Sequence, residues 1–278
     1  EDFFENEYSL DYSIHVFPKP FIVYGHGIVM GGGLGLLAGA SLRIATESTK
    51  IAMPEITIGL FPDVGGSYFL NRSPGQLGLY LGLTGTRLNS NDCLYAKFVD
   101  IQIAYENKNK LINILLSLNY SGDKVKDSTL IKNSLSVILM RDKGDSPLRA
   151  HESQINDLLK EKDLKTFLGK MQNIQHSEEA WIAAGAKALS KGCPTSAFVI
   201  WKQLQMGKNL GLKECFEMEL NIAHNICKFD NFREGVRALL IDKDNKPAWT
   251  PAHFNEVTES FVNAHFESCG KKLMEVEA

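Results

Sequence analysis

Two carboxylates, Glu55 and Asp63, stand eight residues apart in the segment 51–66, which otherwise consists of apolar residues, two prolines, three glycines and a threonine. Burying a carboxylate is costly unless it is bonded, so acids in such a run call for an explanation. One explanation is a pair of carboxyl groups flanking a pocket, one of them tuned for general-base or nucleophilic work. Simpler readings stand beside it: Asp63 capping a helix that begins at Val64, and Glu55 solvated on a turn. Ahead of this pair, seven of the 23 glycines lie between Gly25 and Gly39, directly after the β-like run 21–24. Glycine at that density marks positive φ or close backbone approach. A strand, a glycine turn and a helix start together aim unpaired N–H groups at one point. Such a point suits a phosphate or the oxyanion that develops when an acyl group is attacked. The run has no Gly-Lys-Ser/Thr ending and no GxGxxG spacing followed by an acid about 20 residues on, so it is not a nucleotide loop. A tight helix–strand packing turn remains the alternative use of these glycines.

The elements that must position these groups follow from periodicity. Residues 1–18 read as a short amphipathic helix leading into an extended stretch, closed by Pro18 and Pro20. Short buried strands are expected over 21–24, 42–45 and 50–52, with a buried helix over 34–40 between the first two, a β-α-β alternation of the α/β class. Helices are expected again from Gly65 to about Asn71 and over 75–83, and the chain is mainly helical from Lys108 onward. Leu158, Leu159, Leu164, Phe167 and Leu168 form a core stripe at helical spacing, and Pro194-Thr195-Ser196 opens a helix with threonine or serine as its cap. His26 and His224 are read as packing residues, and Gly66-Ser67 lacks the GxSxG turn of serine hydrolases.

Composition narrows the function classes. A chain of 278 residues with 44% hydrophobic content can bury a sizeable core. Net charge −3 argues against nucleic acid or an anionic membrane as the main partner. The five cysteines are odd in number and lack CxxC spacing, as in a reducing compartment, and no uninterrupted apolar run is long enough to span a membrane.

Met30-Gly31-Gly32-Gly33, Met53-Pro54-Glu55 and the segment 59–66 together resemble the crotonase (enoyl-CoA hydratase/isomerase) superfamily. Within it, the 3-hydroxyisobutyryl-CoA hydrolase branch is most similar, because it shares a pattern like 3–8 and a segment like 232–244. The resemblance is dense over 1–100 and 196–265 and thin between. It implies a spiral of β-β-α repeats followed by a helical C-terminal region. The expected division is a partial crotonase core over 1–105 carrying the active site, a helical connecting region over 106–195, and a C-terminal helical region over 196–278. It further implies an acyl-CoA substrate with no other cofactor, no metal, and room for a homo-oligomer. The compartment would be the cytoplasm, or the mitochondrial matrix in a eukaryote. Gly32 would supply one oxyanion N–H, Glu55 would be the catalytic base or nucleophile, Asp63 would bind the substrate hydroxyl, and Glu7 would lie at the substrate end of the pocket. Hydratases of the superfamily carry a second glutamate where this chain has Gly35, which favours thioester hydrolysis, as in valine catabolism, over enoyl-CoA hydration, isomerisation or a non-catalytic binding role. The family also has about one further repeat of strands and a helix ahead of Phe3, so the chain is expected to be incomplete at its N-terminal side.

Overall fold

A computed structural model describes residues 2–140 and 144–274; Glu1, 141–143 and 275–278, which fall in the three expected regions respectively, lie outside the described residues. The chain opens with α1 (Asp2–Val16), a single 15-residue helix. The extended stretch expected within 1–18 is therefore absent, and the chain leaves the helix only as Pro18 and Pro20 approach. Phe4, Tyr8, Asp11 and Ile14 are buried, at spacings of three and four that place them along one side. The acids of this helix thus share its inner face with apolar residues and do not all point to water.

Next come β1 (Ile22–Gly25), β2 (Ile28–Val29), α2 (Gly32–Gly39), β3 (Leu42–Ala45) and β4 (Lys50–Ile51). β1 pairs in parallel with β3 from Ile22↔Leu42 to Gly25↔Ala45, and β2 pairs in parallel with β4. The strand pair β1–β2 with its helix, stacked on the pair β3–β4, is the β-β-α repeat of an α/β spiral. A 3-10 turn (Glu55–Ile58) and the helices α3 (Gly66–Phe69), α4 (Leu77–Thr84) and α5 (Ser90–Tyr95) follow. β5 (Ile101–Gln102) then joins the far side of β3. Neither β2 nor β5 was expected from the sequence, since two residues give no period to detect.

The remainder is helical: α6 (Lys108–Ser117), α7 (Lys124–Leu135), α8 (Pro147–Ala150), α9 (Glu152–Leu158), α10 (Leu164–Ile174), α11 (Ala180–Lys191), α12 (Pro194–Gly207), α13 (Leu212–Ile226), α14 (Asp230–Val236) and α15 (Glu259–Ala264). Leu159, Leu164, Phe167 and Leu168 are buried as expected, with Leu158 packed against them. α12 differs in its start. Cys193 is the N-cap residue without a side-chain bond, Pro194 takes the first helical position, and buried Thr195 instead accepts from Asn231. One apolar core runs from Phe4 and Tyr8 through Leu37, Phe61, Tyr80, Phe167 and Phe216 to Leu273. A smaller one lies between β3 and the helices α6 and α7. No described helix is long and apolar enough to cross a membrane.

Two contacts position the segment of interest. On α2, Gly32, Gly35 and Gly39 fall on one face, and a Cβ at Gly39 would lie 3.2 Å from the Asp11 carbonyl oxygen, so α1 sits directly against this glycine face. On the other side, α14 lies on the Glu55 turn: a Cβ at Gly235 would fall 2.3 Å from the Ile58 carbonyl carbon and oxygen. Gly235→Ala must push α14 and the turn apart, an overpacking that costs about 1–3 kcal/mol. A thermal melt should show the loss as a lower Tm; an unchanged Tm would mean that α14 does not clamp the turn.

Candidate active site

Glu55 opens the 3-10 turn after Pro54, and the turn closes on Gly59 in the left-handed region at φ 70°. Leu60 N–H bonds back to the Glu55 carbonyl, and Cys193 N–H to that of Ile56, so the turn is fixed from within and from the start of α12. The Glu55 side chain is 5% exposed, and its Oε2 has no hydrogen-bond partner. A solvated turn is thereby ruled out. Burial, reinforced by the Asp63 charge, pushes its carboxyl well above the usual carboxylate range, against a hydrogen bond to its own backbone.

Asp63 is equally buried and does not cap a helix. α3 begins three residues later, with Gly65 at its N-cap position. The buried carboxylate that meets this helix end is Glu219 of α13, which accepts from Gly65 N–H and Ser67 N–H at 2.8 Å each. Gln203 of α12 donates to the Pro62 carbonyl and to Ser67 Oγ, holding the same loop from a second helix. Asp63 is left free to accept from the Tyr8 hydroxyl at 3.0 Å. Val64, buried next to it, has φ 50°, a strained conformation for a β-branched residue. Burial raises Asp63 to about 8, helped by the charges of Glu219 and Glu7 and opposed by the Tyr8 bond. Glu219 is raised by burial to about 7, with its backbone bonds pulling the other way.

The third wall comes from α1 and α2. Gly31, at φ 54°, turns the chain into α2 and accepts from Leu34 and Gly35, while the N–H groups of Gly32 and Gly33 start the helix with no carbonyl behind them inside it. A Cβ at Gly32 would lie 2.7 Å from Glu7 Oε1, so Glu7 rests over this helix start. Glu7 is half-buried and its carboxyl is raised by burial. The residues expected to form the site, Glu7, Gly32, Glu55 and Asp63, are linked in this way: Glu7 to Gly32 by contact, and Asp63 to Glu55 and Glu7 through their charges. Sequence reasoning missed Asp11 and Glu219. Glu219 had a signal, an acid within the apolar stripe of α13; Asp11 had one in its position four residues after Glu7 on the inner face of α1. His26, though exposed, packs between the rings of Tyr24 and Tyr105 as expected, and His224 is half-buried.

Buried acids beside a helix N-terminus can move protons and can hold a developing oxyanion. Among the described residues, no three His, Cys, Asp or Glu side chains are arranged to hold a metal ion. A cavity of about 780 Å³ between α10, α11 and α12, lined by Phe198, Trp249 and Phe254, has no acid in its wall and lies apart from this chemistry.

A family model described as enoyl-CoA hydratase/isomerase matches residues 1–266. The chain belongs to that family. Curated proteins similar to the chain are named 3-hydroxyisobutyryl-CoA hydrolase, mitochondrial. The one from Homo sapiens is 37% identical over 268 residues, covering 96% of this chain and 68% of its own length. The one from Xenopus tropicalis is 36% identical over 273 residues, with 97% and 69% covered. Among solved structures, a carnitinyl-CoA dehydratase from Mycobacterium thermoresistibile superposes with TM-score 0.86 at 29% identity, covering 98% of this chain and 75% of that one. An enoyl-CoA hydratase from Rhodobacter sphaeroides 2.4.1 gives 0.82 at 30%, with 97% and 74% covered. The crotonase fold expected from the sequence is therefore the fold of this chain.

Glu219 generates the clearest structural prediction for this family member. Glu219→Ala strips two buried N–H groups of their acceptor, at about 1–3 kcal/mol for each group left unpaired. Denaturant melts should show a large drop in midpoint, and Glu219→Gln, which keeps one acceptor, should fall between the two. Equal midpoints for wild type and Glu219→Ala would show that the loop before α3 is held by other means.

Proposed function

We propose that this protein hydrolyses a short branched hydroxyacyl-CoA thioester, 3-hydroxyisobutyryl-CoA, to 3-hydroxyisobutyrate and CoA. The observation that carries the reading is the buried Glu55 carboxyl, with one oxygen free of any bond, set beside an Asp63 that is already oriented by Tyr8. A carboxylate kept out of water and left unpaired is poised to take a proton or to attack. The names of the hydrolase relatives support the substrate.

In this reading, Glu55 takes a proton from water as the water oxygen bonds to the thioester carbonyl carbon. The carbonyl oxygen gains negative charge and receives the Gly32 N–H, aided by the α2 dipole. The C–S bond then breaks, and the thiolate of CoA leaves and is protonated. The same atom placement allows the Glu55 carboxylate to attack the carbonyl carbon itself, giving a mixed anhydride that water cleaves. Asp63 accepts a hydrogen bond from the substrate's 3-hydroxyl, and Glu7 closes the substrate end over Gly32. CoA arrives as part of the substrate, and no other cofactor enters. The net charge, the odd-numbered and scattered cysteines and the relatives named mitochondrial support a small-molecule enzyme of the mitochondrial matrix or cytoplasm, with neither nucleic acid nor membrane as partner and with room for self-association.

Glu55→Gln keeps the shape but can neither accept a proton nor act as a carboxylate nucleophile. Its kcat for 3-hydroxyisobutyryl-CoA should fall by at least about 100-fold, in line with loss of a general base. Near-wild-type kcat would sink the assignment. For Asp63, the relevant measure is selectivity. Asp63→Ala should narrow the kcat/KM gap between 3-hydroxyisobutyryl-CoA and isobutyryl-CoA, because a site built to bond a hydroxyl penalises the analogue lacking it. An unchanged ratio would mean that Asp63 serves the fold alone.

A further inference from the structure

The carboxyl of Asp11 has no role in the steps above, yet it lies in the same cluster. Its residue is 2% exposed, no hydrogen bond reaches its side chain, and Oδ2 is both buried and unpartnered. The reason it fits is a missing side chain on the facing helix. A Cβ at Gly35 would fall 2.5 Å from Asp11 Oδ2 and 2.9 Å from both Cγ and Oδ1. Asp11 therefore fills the volume that any larger residue at position 35 would take. One turn earlier on α1, Glu7 stands in the same relation to Gly32. The two acids lie four residues apart on α1, above two glycines three apart on α2, so the seating of one fixes the seating of the other.

We propose that Asp11 is a positioning residue of this site, wedged as an uncharged carboxylic acid over Gly35 so that Glu7 keeps its place over Gly32 and Asp63 its bond to Tyr8. The inference rests on the reading of Glu7 and Asp63 as the substrate end of the pocket. The charged groups facing Asp11 are Glu7 on its own helix, Asp63 on the loop before α3 and Glu219 on α13, all acidic. His15, a turn further along α1, packs toward Tyr68 and Phe69. A charge on Asp11 would thus meet three like charges with no bond to spread it, whereas the neutral acid meets none of that repulsion. Burial first, and these three acids second, raise its carboxyl to about 8. The sign follows. A folded-state value above the unfolded one gives a stabilising contribution that is full below about pH 4, the unfolded range, and is lost as pH rises through about 8.

Asp11→Asn is the test, because asparagine keeps the shape and can never ionise. In the full chain, kcat/KM of wild type should fall at least about threefold further than that of Asp11→Asn as pH rises through 8, where Asp11 gains charge, the titrations of Asp63 and Glu219 being common to both. Asp11→Ala, which leaves a void over Gly35, should lose kcat/KM at every pH, mostly through KM. Identical basic limbs for wild type and Asp11→Asn would overturn the proposal. A second measurement needs no turnover: the difference in Tm between wild type and Asp11→Asn should shift against wild type between pH 5 and 9. A difference that is flat with pH would also overturn the proposal. Failure to hydrolyse 3-hydroxyisobutyryl-CoA by wild type would count against the substrate reading alone, and the Tm comparison would still decide the role of Asp11.

Discussion

Negative charge that cannot reach water is the constraint on which this site depends. Glu55, Asp63, Asp11 and Glu219 are all buried, and the largest influences on them are burial, one another and hydrogen bonds, not a lysine or arginine. Four like charges in one low-dielectric region cannot all persist, so the surroundings must sort them. Glu219 receives two backbone N–H groups, Asp63 one phenolic hydroxyl, and Glu55 and Asp11 neither on their buried oxygens. Unequal donors give unequal proton affinities, and unequal proton affinities give separate roles to chemically identical groups. Glu219 becomes a brace and Asp63 an oriented acceptor, while Glu55 keeps a buried oxygen with no partner.

The glycines of α2 are the steric counterpart of this electrostatic arrangement. They let a neighbouring helix bring its acidic side chains down to backbone distance, beside the helix N-terminus where negative charge is best tolerated. Closeness of this kind needs rigid supports. α13 and α12 grip the loop that carries Asp63, α14 grips the turn that carries Glu55, and the buried Val64 between them holds an unfavourable φ that only firm packing on both sides can maintain. Local strain at such a point is held in place by long-range contacts.

Polarity contrast made Glu55 and Asp63 legible in the sequence: two acids in an apolar, glycine-rich run have few innocent explanations. The helix start at the glycine run was legible because a strand, a glycine turn and a helix follow one another along the chain, whereas the choice of Gly32 within it came from the family resemblance. The alternative reading of Asp63 as a helix cap fails because the group that meets α3 comes from Glu219, 154 residues from Gly65, and no local pattern announces such a partner. Asp11 was passed over for a related reason. Acids on an amphipathic helix are ordinarily solvated, and only the absence of a side chain at Gly35 makes room for one inside. The two-residue strands β2 and β5 exist through pairing with β4 and β3, and their own residues carry no period.

The grip of α14 on the Glu55 turn also has a consequence in time. A ribosome releases the chain from its N-terminal end, so the strands, the glycine turn, Glu55 and Asp63 emerge long before Gly235 exists to seat the turn, or Glu219 to brace the loop. Through that interval the acids stand in water with ordinary proton affinities, and the nascent chain carries them without the shifts that burial imposes. The shifted affinities are conferred late, when distant helices arrive and shut the solvent out. Because the decisive contacts join segments so far apart, their closure is among the slower steps by which such a chain acquires its native form.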